Sequence, residues 1–280
     1  MENYEQTKSN INYINVFVKQ TSFEILQLLR TPLYLSGILL FSSLILFLPV
    51  KQESTELVII FFSGLILLIV AIERLGKRIA MERVEGWFTL LQVSPLPPTI
   101  FIGAKLICTL FICTLVLILM YFVESFKLGV AIDIIDWLRI FFALIVGIIP
   151  FTFFGIAVGY LFNPKSIDSI IALLLPITLL TCGLPVPFLE NKWFQYLVNS
   201  LPFYHYSKFV ELAGAIDVSS LQNQNKLLNG IMKTVTERFS QGTIGLESPD
   251  NLIVHVVYLF GFGVVFYLVS IWAYKRDQSL

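Results

Sequence analysis

The chain has 280 residues, 56% of them hydrophobic and 14% charged, and its 19 basic and 19 acidic side chains cancel. Soluble domains carry about 25% charge because a water-facing surface needs it, so this composition suits a bilayer and excludes an ordinary soluble enzyme. Zero net charge gives no global field to attract nucleic acid, so no nucleic-acid partner is expected.

Residues 1–31 scatter Glu2, Glu5, Lys8, Lys19, Glu24 and Arg30 among apolar positions. That predicts a cytoplasmic N-terminal segment rather than a cleaved signal sequence. Within it, 12–30 mixes Phe17, Ile25, Leu28 and Leu29 with Lys19, Gln20 and Glu24, a pattern that suits a helix lying along a membrane interface. Thr31-Pro32 breaks that helix.

Residues 32–280 read as one all-α membrane domain. A spanning helix needs about 20 mostly apolar residues, and six stretches qualify: 33–50, 57–72, 99–123, 138–162, 169–188 and 251–274. Pro32 suits the start of the first and Pro49 closes it. Pro150 and Pro176 fall inside the fourth and fifth, where kinks are tolerated. Lys105, near one end of the third, is expected to snorkel to the interface.

Orientation follows from Lys and Arg in short loops. With the N-terminus inside, eleven basic residues lie on the cytoplasmic side: Lys8, Lys19, Arg30, Arg74, Lys77, Arg78, Arg83, Lys105, Lys165, Lys275 and Arg276. Only three, Lys51, Lys127 and Arg139, fall in short outer loops. Both termini are therefore expected in the cytoplasm. The outer loop 189–250 begins with an aromatic run from Trp193 to Phe209, expected as re-entrant helices that form a lid in the outer leaflet. Its polar second half predicts an amphipathic helix near 220–239, part of an outer cap.

Absences narrow the function. The phosphate loop G-x-x-x-x-G-K-[ST] is missing from the sequence, so no ATP site of the usual kind is expected in this chain. The histidines are His205 and His255 alone, fifty residues apart, and a metal site built from them is not expected. Cys108, Cys113 and Cys182 lie in apolar runs and read as buried structural thiols. The span cores hold almost no ionisable groups, which argues against proton or ion coupling within the chain.

Residues 73–98 are the most informative segment. A charge cluster through Glu82, Arg83 and Glu85 leads to Gly86, then to Trp87, Phe88 and Leu91, and closes on Ser94-Pro95. Span 2 is expected to continue as a charged helix, with Gly86 permitting a break and a short amphipathic helix after it. The local pattern leaves two readings open: a solvated loop with an interfacial Trp, or a helix that docks on a soluble partner.

This segment resembles the coupling region of type-2 ABC transporter permeases, whose signature runs E-R-x-x-G-(T/W)-x-x-x-L-x-x-(S/T)-P-L. Here it reads Glu82-Arg83-Val84-Glu85-Gly86-Trp87, then Leu90 or Leu91, then Ser94-Pro95-Leu96. The start through Arg30-Thr31-Pro32 is similar to the family's connecting helix. Gly183-Leu184-Pro185-Val186-Pro187 and Leu201-Pro202-Phe203-Tyr204-His205 are similar to its segment after span 5. Heme-exporter B proteins share a similar loop after span 2. The polar stretch 216–250 is longer than the family pattern.

The resemblance implies an exporter with two membrane subunits, as homodimer or related heterodimer, and separate ATPase subunits that hold ATP and Mg. Motion would pass through Glu82, Arg83, Glu85, Gly86, Trp87, Phe88 and Leu91, and through the connecting helix at Phe17, Glu24 and Arg30. Phe61, Phe62, Thr178, Thr181 and Leu184 would line the path, with helix packing or lipid contact as the plainer account of each. No catalytic residue, metal or cofactor is expected in this chain. A secondary transporter or a membrane scaffold is the alternative, and an ATPase gene alongside would decide against both.

Overall fold

The computed structural model describes residues 13–30, 62–86, 97–128, 134–181, 192–213 and 252–278. Span 1 at 33–50, the residues Phe61, Trp87, Phe88, Leu91 and Leu184, and the helix expected near 220–239 lie outside them. Every regular element among the described residues is helical, which agrees with the all-α expectation.

In chain order these are α1 (Tyr13–Leu29), a π-helix (Leu67–Arg74) that runs directly into α2 (Leu75–Val84), α3 (Pro98–Leu128), α4 (Ile134–Leu161), α5 (Pro164–Thr181), α6 (Lys192–Asn199), α7 (Pro202–Ala213) and α8 (Leu252–Gln278). Helices α3, α5 and α7 each begin on proline. The missing N–H of proline costs nothing at a first helical position, where no partner exists for it. Before α5, the side chain of Asn163 also accepts from the Ser166 N–H at 2.8 Å, an N-cap that fixes the start.

Three described helices contain stretches long and apolar enough to cross a membrane: Pro98–Val123, Trp137–Leu161 and Leu252–Arg276. They correspond to the third, fourth and sixth expected spans. Parts of the second and fifth are described as helix, the latter from Pro164 to Thr181. Helix α4 is the most enclosed of the three and α8 the least. The described bundle is thus organised around α4, which packs on α8, α2, the π-helix, α3 and α7.

A backbone-close approach joins α4 to span 2. Gly155 and Gly159 stand four apart on one face of α4, a spacing that lets helix backbones touch. A Cβ built on Gly155 would lie 1.8 Å from the Ala71 carbonyl oxygen, and one on Gly159 would lie 2.7 Å from the Gly76 carbonyl oxygen. Ala71 belongs to the π-helix, whose wider turn is a feature common at functional sites in membrane and soluble helices alike.

The two ends of this packing differ in chemistry. One end gathers α1, α2, the start of α3 and the last turns of α4 and α8, with the Tyr274 ring against both Phe101 and Tyr160. The other gathers α6, α7, the start of α8 and the first half of α4. There Phe151 meets Phe203 at 5.0 Å, Phe262 at 5.5 Å and Tyr206 at 5.7 Å.

Candidate functional site

At the first end, four ionised side chains from three helices form a closed ring of alternating sign. Lys105 on α3 contacts Glu24 on α1 at 2.8 Å. Glu24 contacts Arg78 on α2 at 2.7 Å. Arg78 contacts Glu82, one turn along α2, at 3.0 Å, and Glu82 returns to Lys105 at 2.6 Å. Two positive and two negative charges balance, so the ring is neutral as a unit.

Local sequence explains how each member arrives. Arg78 and Glu82 are four apart on α2 and share a helix face. Gln20 and Glu24 have the same spacing on α1, and Gln20 donates to Glu24 at 3.3 Å. Gln27 accepts from Arg78. Phe17, also on α1, lies on Gly103 of α3, so close that a Cβ there would meet the ring at 3.1 Å. That contact presses α1 against α3 and carries Glu24 over Lys105.

Burial sets the energetic stakes. Lys105 is 1% exposed and Glu24 3%. Removing a charge from water costs several kcal/mol, recovered only where partners are well placed. Lys105 therefore does not snorkel, as its place near a span end suggested. Its ammonium is enclosed because two carboxylates reach it from neighbouring helices, and the Phe101 ring lies 5.1 Å from it.

Glu82 and Arg83 are half-buried and make contacts within the chain. The Glu82 carboxylate serves the ring, and the Arg83 guanidinium donates to the Gly159 carbonyl of α4 at 3.4 Å. Glu85 is the exposed carboxylate of the expected trio. Helix α2 ends at Val84, the Glu85 N–H closes on the Met81 carbonyl at 2.9 Å, and Gly86 follows at φ 78°. A glycine in the left-handed region just past a helix end is the usual helix stop, so Gly86 makes the break read from the sequence.

A second tie joins α2 to α5. Lys77 pairs with Asp168 and, one turn back, with Glu73 at 3.0 Å. The hydrogen bond to Asp168 is the main reason the Lys77 ammonium holds its proton above its ordinary range. Beside the ring runs a groove of about 660 Å³ walled by Gln20, Phe23, Ile69, Met81 and Glu85.

The other expected residues are placed as follows. Arg30 ends α1, its N–H bonded to the Leu26 carbonyl at 3.0 Å. Phe62, Thr178 and Thr181 are buried within the chain. Both threonine hydroxyls bond back to their own helix, Thr178 to Leu174 and Thr181 to Ile177, each at 2.9 Å. Sequence reasoning missed Arg78 and Lys105 as ring members. The signal available for Lys105 was a lone cation in an apolar run, which asks for a partner.

His205 and His255, fifty residues apart in sequence, are brought together, Nδ1 to Nδ1 at 2.8 Å. Among the described residues no cluster of three metal-ligating side chains accompanies them.

Apolar spanning helices, backbone-close packing and a charged junction at one end define a membrane-embedded helical transport protein. The chain belongs to the ABC-2 family of transporter proteins, whose family model matches residues 4–272. It is also similar to YvfS of Bacillus subtilis (strain 168), a protein named as a transport permease, with 25% identity over 137 residues. That match covers 49% of this chain and 56% of YvfS, little more than half of that relative's length. The resemblance carried by residues 82–96 is thereby borne out at the level of family.

Proposed function

We propose that the chain is the membrane-spanning permease subunit of an ATP-driven exporter, and that the ion-pair ring couples it to a separate ATPase subunit. The ring is the observation that carries this reading. It lies one turn behind the Gly86 break and bolts α1, α2 and α3 together. A push at the tip of α2 cannot move that helix alone without stranding buried charge, so α1 and α3 follow. Backbone contact at Gly155 and Gly159 then passes the motion to α4.

In this reading ATP and Mg act on the partner, and Glu85, Trp87, Phe88 and Leu91 supply the contact to it. Glu82, Arg83 and Glu24 act from behind the contact. A second permease subunit, the same or related, completes the path, which Phe61, Phe62, Thr178, Thr181 and Leu184 are candidates to line. The near absence of ionisable groups in the span cores favours an apolar or amphiphilic cargo, and surrounding lipid is the solvent of α8. The protein sits in the cell membrane with both termini in the cytoplasm, as the eleven-to-three distribution of basic residues favours. In a background lacking the native cysteines, Ser279→Cys is expected to be shielded from an impermeant thiol reagent in intact cells and Gln224→Cys labelled. The reverse pattern would invert the topology.

The coupling test is the double variant Glu85→Lys, Trp87→Ala. It is expected to insert normally, to bind the co-purifying ATPase less tightly and to lose substrate-stimulated ATP hydrolysis. Loss of an aromatic anchor typically costs about 2 kcal/mol or more, roughly a thirty-fold weakening. Undiminished ATPase binding and transport would leave the stretch after Gly86 without a docking role and remove this reading.

A further inference from the structure

The histidine pair has a chemistry of its own. His205 lies on α7 and His255 on α8, both in the buried class. Their Nδ1 atoms stand 2.8 Å apart, and Tyr258 stacks on His205 with ring centroids 3.8 Å apart. A hydrogen bond between two Nδ1 atoms needs one proton between them, so one ring must donate and the other accept. Either ring can be the donor, and the other then accepts at its Nδ1.

Protonation then has an order. One added proton still leaves a single proton shared between the two Nδ1 atoms, in a bond that is now charge-assisted. A second must go to the acceptor Nδ1 itself. It breaks the bond and sets two buried cations nose to nose. We propose that His205 and His255 form an acid-released latch that ties the α6–α7 pair to α8 and opens when the acceptor nitrogen is protonated.

Tyr204 and Tyr258 face the pair with rings rather than charges. Lys208 and Glu211 of α7 lie further along that helix and pair with each other at 2.9 Å. Arg139 of α4 lies by Phe209 and Ala213, toward the far half of α7. Asp168 and Lys165 of α5 and Lys275 and Arg276 of α8 sit at the opposite ends of their helices. Burial first, and repulsion from His255 second, push His205 down to about 4 from its ordinary 6.5.

The sign follows from that depression. The open state takes up a proton that the closed state refuses, so the latch is fully held above pH 6.5. It weakens as pH falls from 6.5 toward about 4, by about tenfold in the closed-to-open ratio for each unit. One proton is taken up for each latch opened. The latch stands apart from the exporter reading, because neither measurement below contains transport.

The test uses the full-length protein in nanodiscs. Labelling histidine with ¹⁵N gives only two rings to follow. At pH 7.5 one is expected as the Nδ1–H tautomer and one as Nε2–H, with His205 resisting protonation to well below 6.5. In a background without native cysteines, spin labels at Leu212→Cys on α7 and Val257→Cys on α8 are expected to give a narrow distance distribution at pH 7.5. At pH 4.5 it should be longer and broader. His255→Gln, which carries no titrating partner, should show the same distribution at both pH values. Two histidines titrating independently near 6.5, a distance unchanged by acid, or a His255→Gln response equal to the wild type would each overturn the latch.

Discussion

At one end of the bundle four ionised groups from α1, α2 and α3 hold each other within 3.0 Å. At the other, rings do the holding: Phe151, Phe203, Tyr206 and Phe262 in one seam, His205, His255 and Tyr258 in another. The difference is one of tolerance. An aromatic seam loses stabilisation in proportion to what is removed, because dispersion and burial are sums over many atoms. A buried ion ring does not, because removing one member leaves its neighbours charged and dry. The ionic end is therefore stiff and all-or-none, which suits a part that transmits force. The aromatic end yields gradually, which suits a part that opens.

The largest expected effect breaks the ring at its most buried member. Lys105→Ala leaves Glu24 and Glu82 to share Arg78 and gives the ring net negative charge. The expected loss is about 3–5 kcal/mol, read as a fall in thermal unfolding temperature of the detergent-solubilised chain. Combining Lys105→Met with Glu24→Gln removes one charge of each sign and should recover a large part of that loss. If the single variant is as stable as wild type, the ring is not closed in the membrane and the contrast between the ends collapses.

The backbone contact behind the ring comes next. Gly155→Leu puts a side chain where even a Cβ would stand 1.8 Å from the Ala71 carbonyl, so α4 must move off the π-helix. Overpacking of this kind typically costs about 1–3 kcal/mol. Gly261→Ala on α8 is the control: nothing lies within 4 Å of its added Cβ, and alanine is the better helix former. The first should unfold at lower temperature and the second no lower than wild type. Equal behaviour would mean that the close approach of α4 to span 2 is absent.

Much of this was legible before any coordinates. Apolar runs marked the three described spanning stretches, and Gly86 marked a break after a charged helix, because each of these signals is local. The ring was half legible. Glu24 and Glu82 stood out as charges next to apolar faces, yet which cation they would meet depends on how α1 lies across α3, a tertiary fact. Lys105 was misread for the same reason: position along a helix says where an ammonium could reach, not which neighbours arrive to enclose it. The contact between the histidines was not legible, because sequence separation carries no information about contact once an outer helix folds back onto a span. The π-helix at Leu67–Arg74 reads in sequence as an ordinary apolar helix end leading into Glu73 and Arg74, because no residue type marks the wider turn.

The smallest expected effect sharpens the aromatic end. Tyr258 does two things there: its ring stacks on His205, and its hydroxyl donates to the Ser200 carbonyl between α6 and α7 at 2.6 Å. Tyr258→Phe keeps the ring and removes only the donor. Ser200 is exposed, so its carbonyl can find water and no buried group is left unsatisfied. The expected cost is therefore about 0.5–1.5 kcal/mol, the ordinary net value of one hydrogen bond, and it should not alter the ¹⁵N signature of the histidine pair at pH 7.5. Tyr258→Ala removes the stack as well and should cost more, in steps rather than at once, as the seam loses atoms. If Tyr258→Phe alone destabilised the chain as much as Lys105→Ala, the outer helices would hang on a single polar tie, and graded holding by rings would be the wrong description of that end.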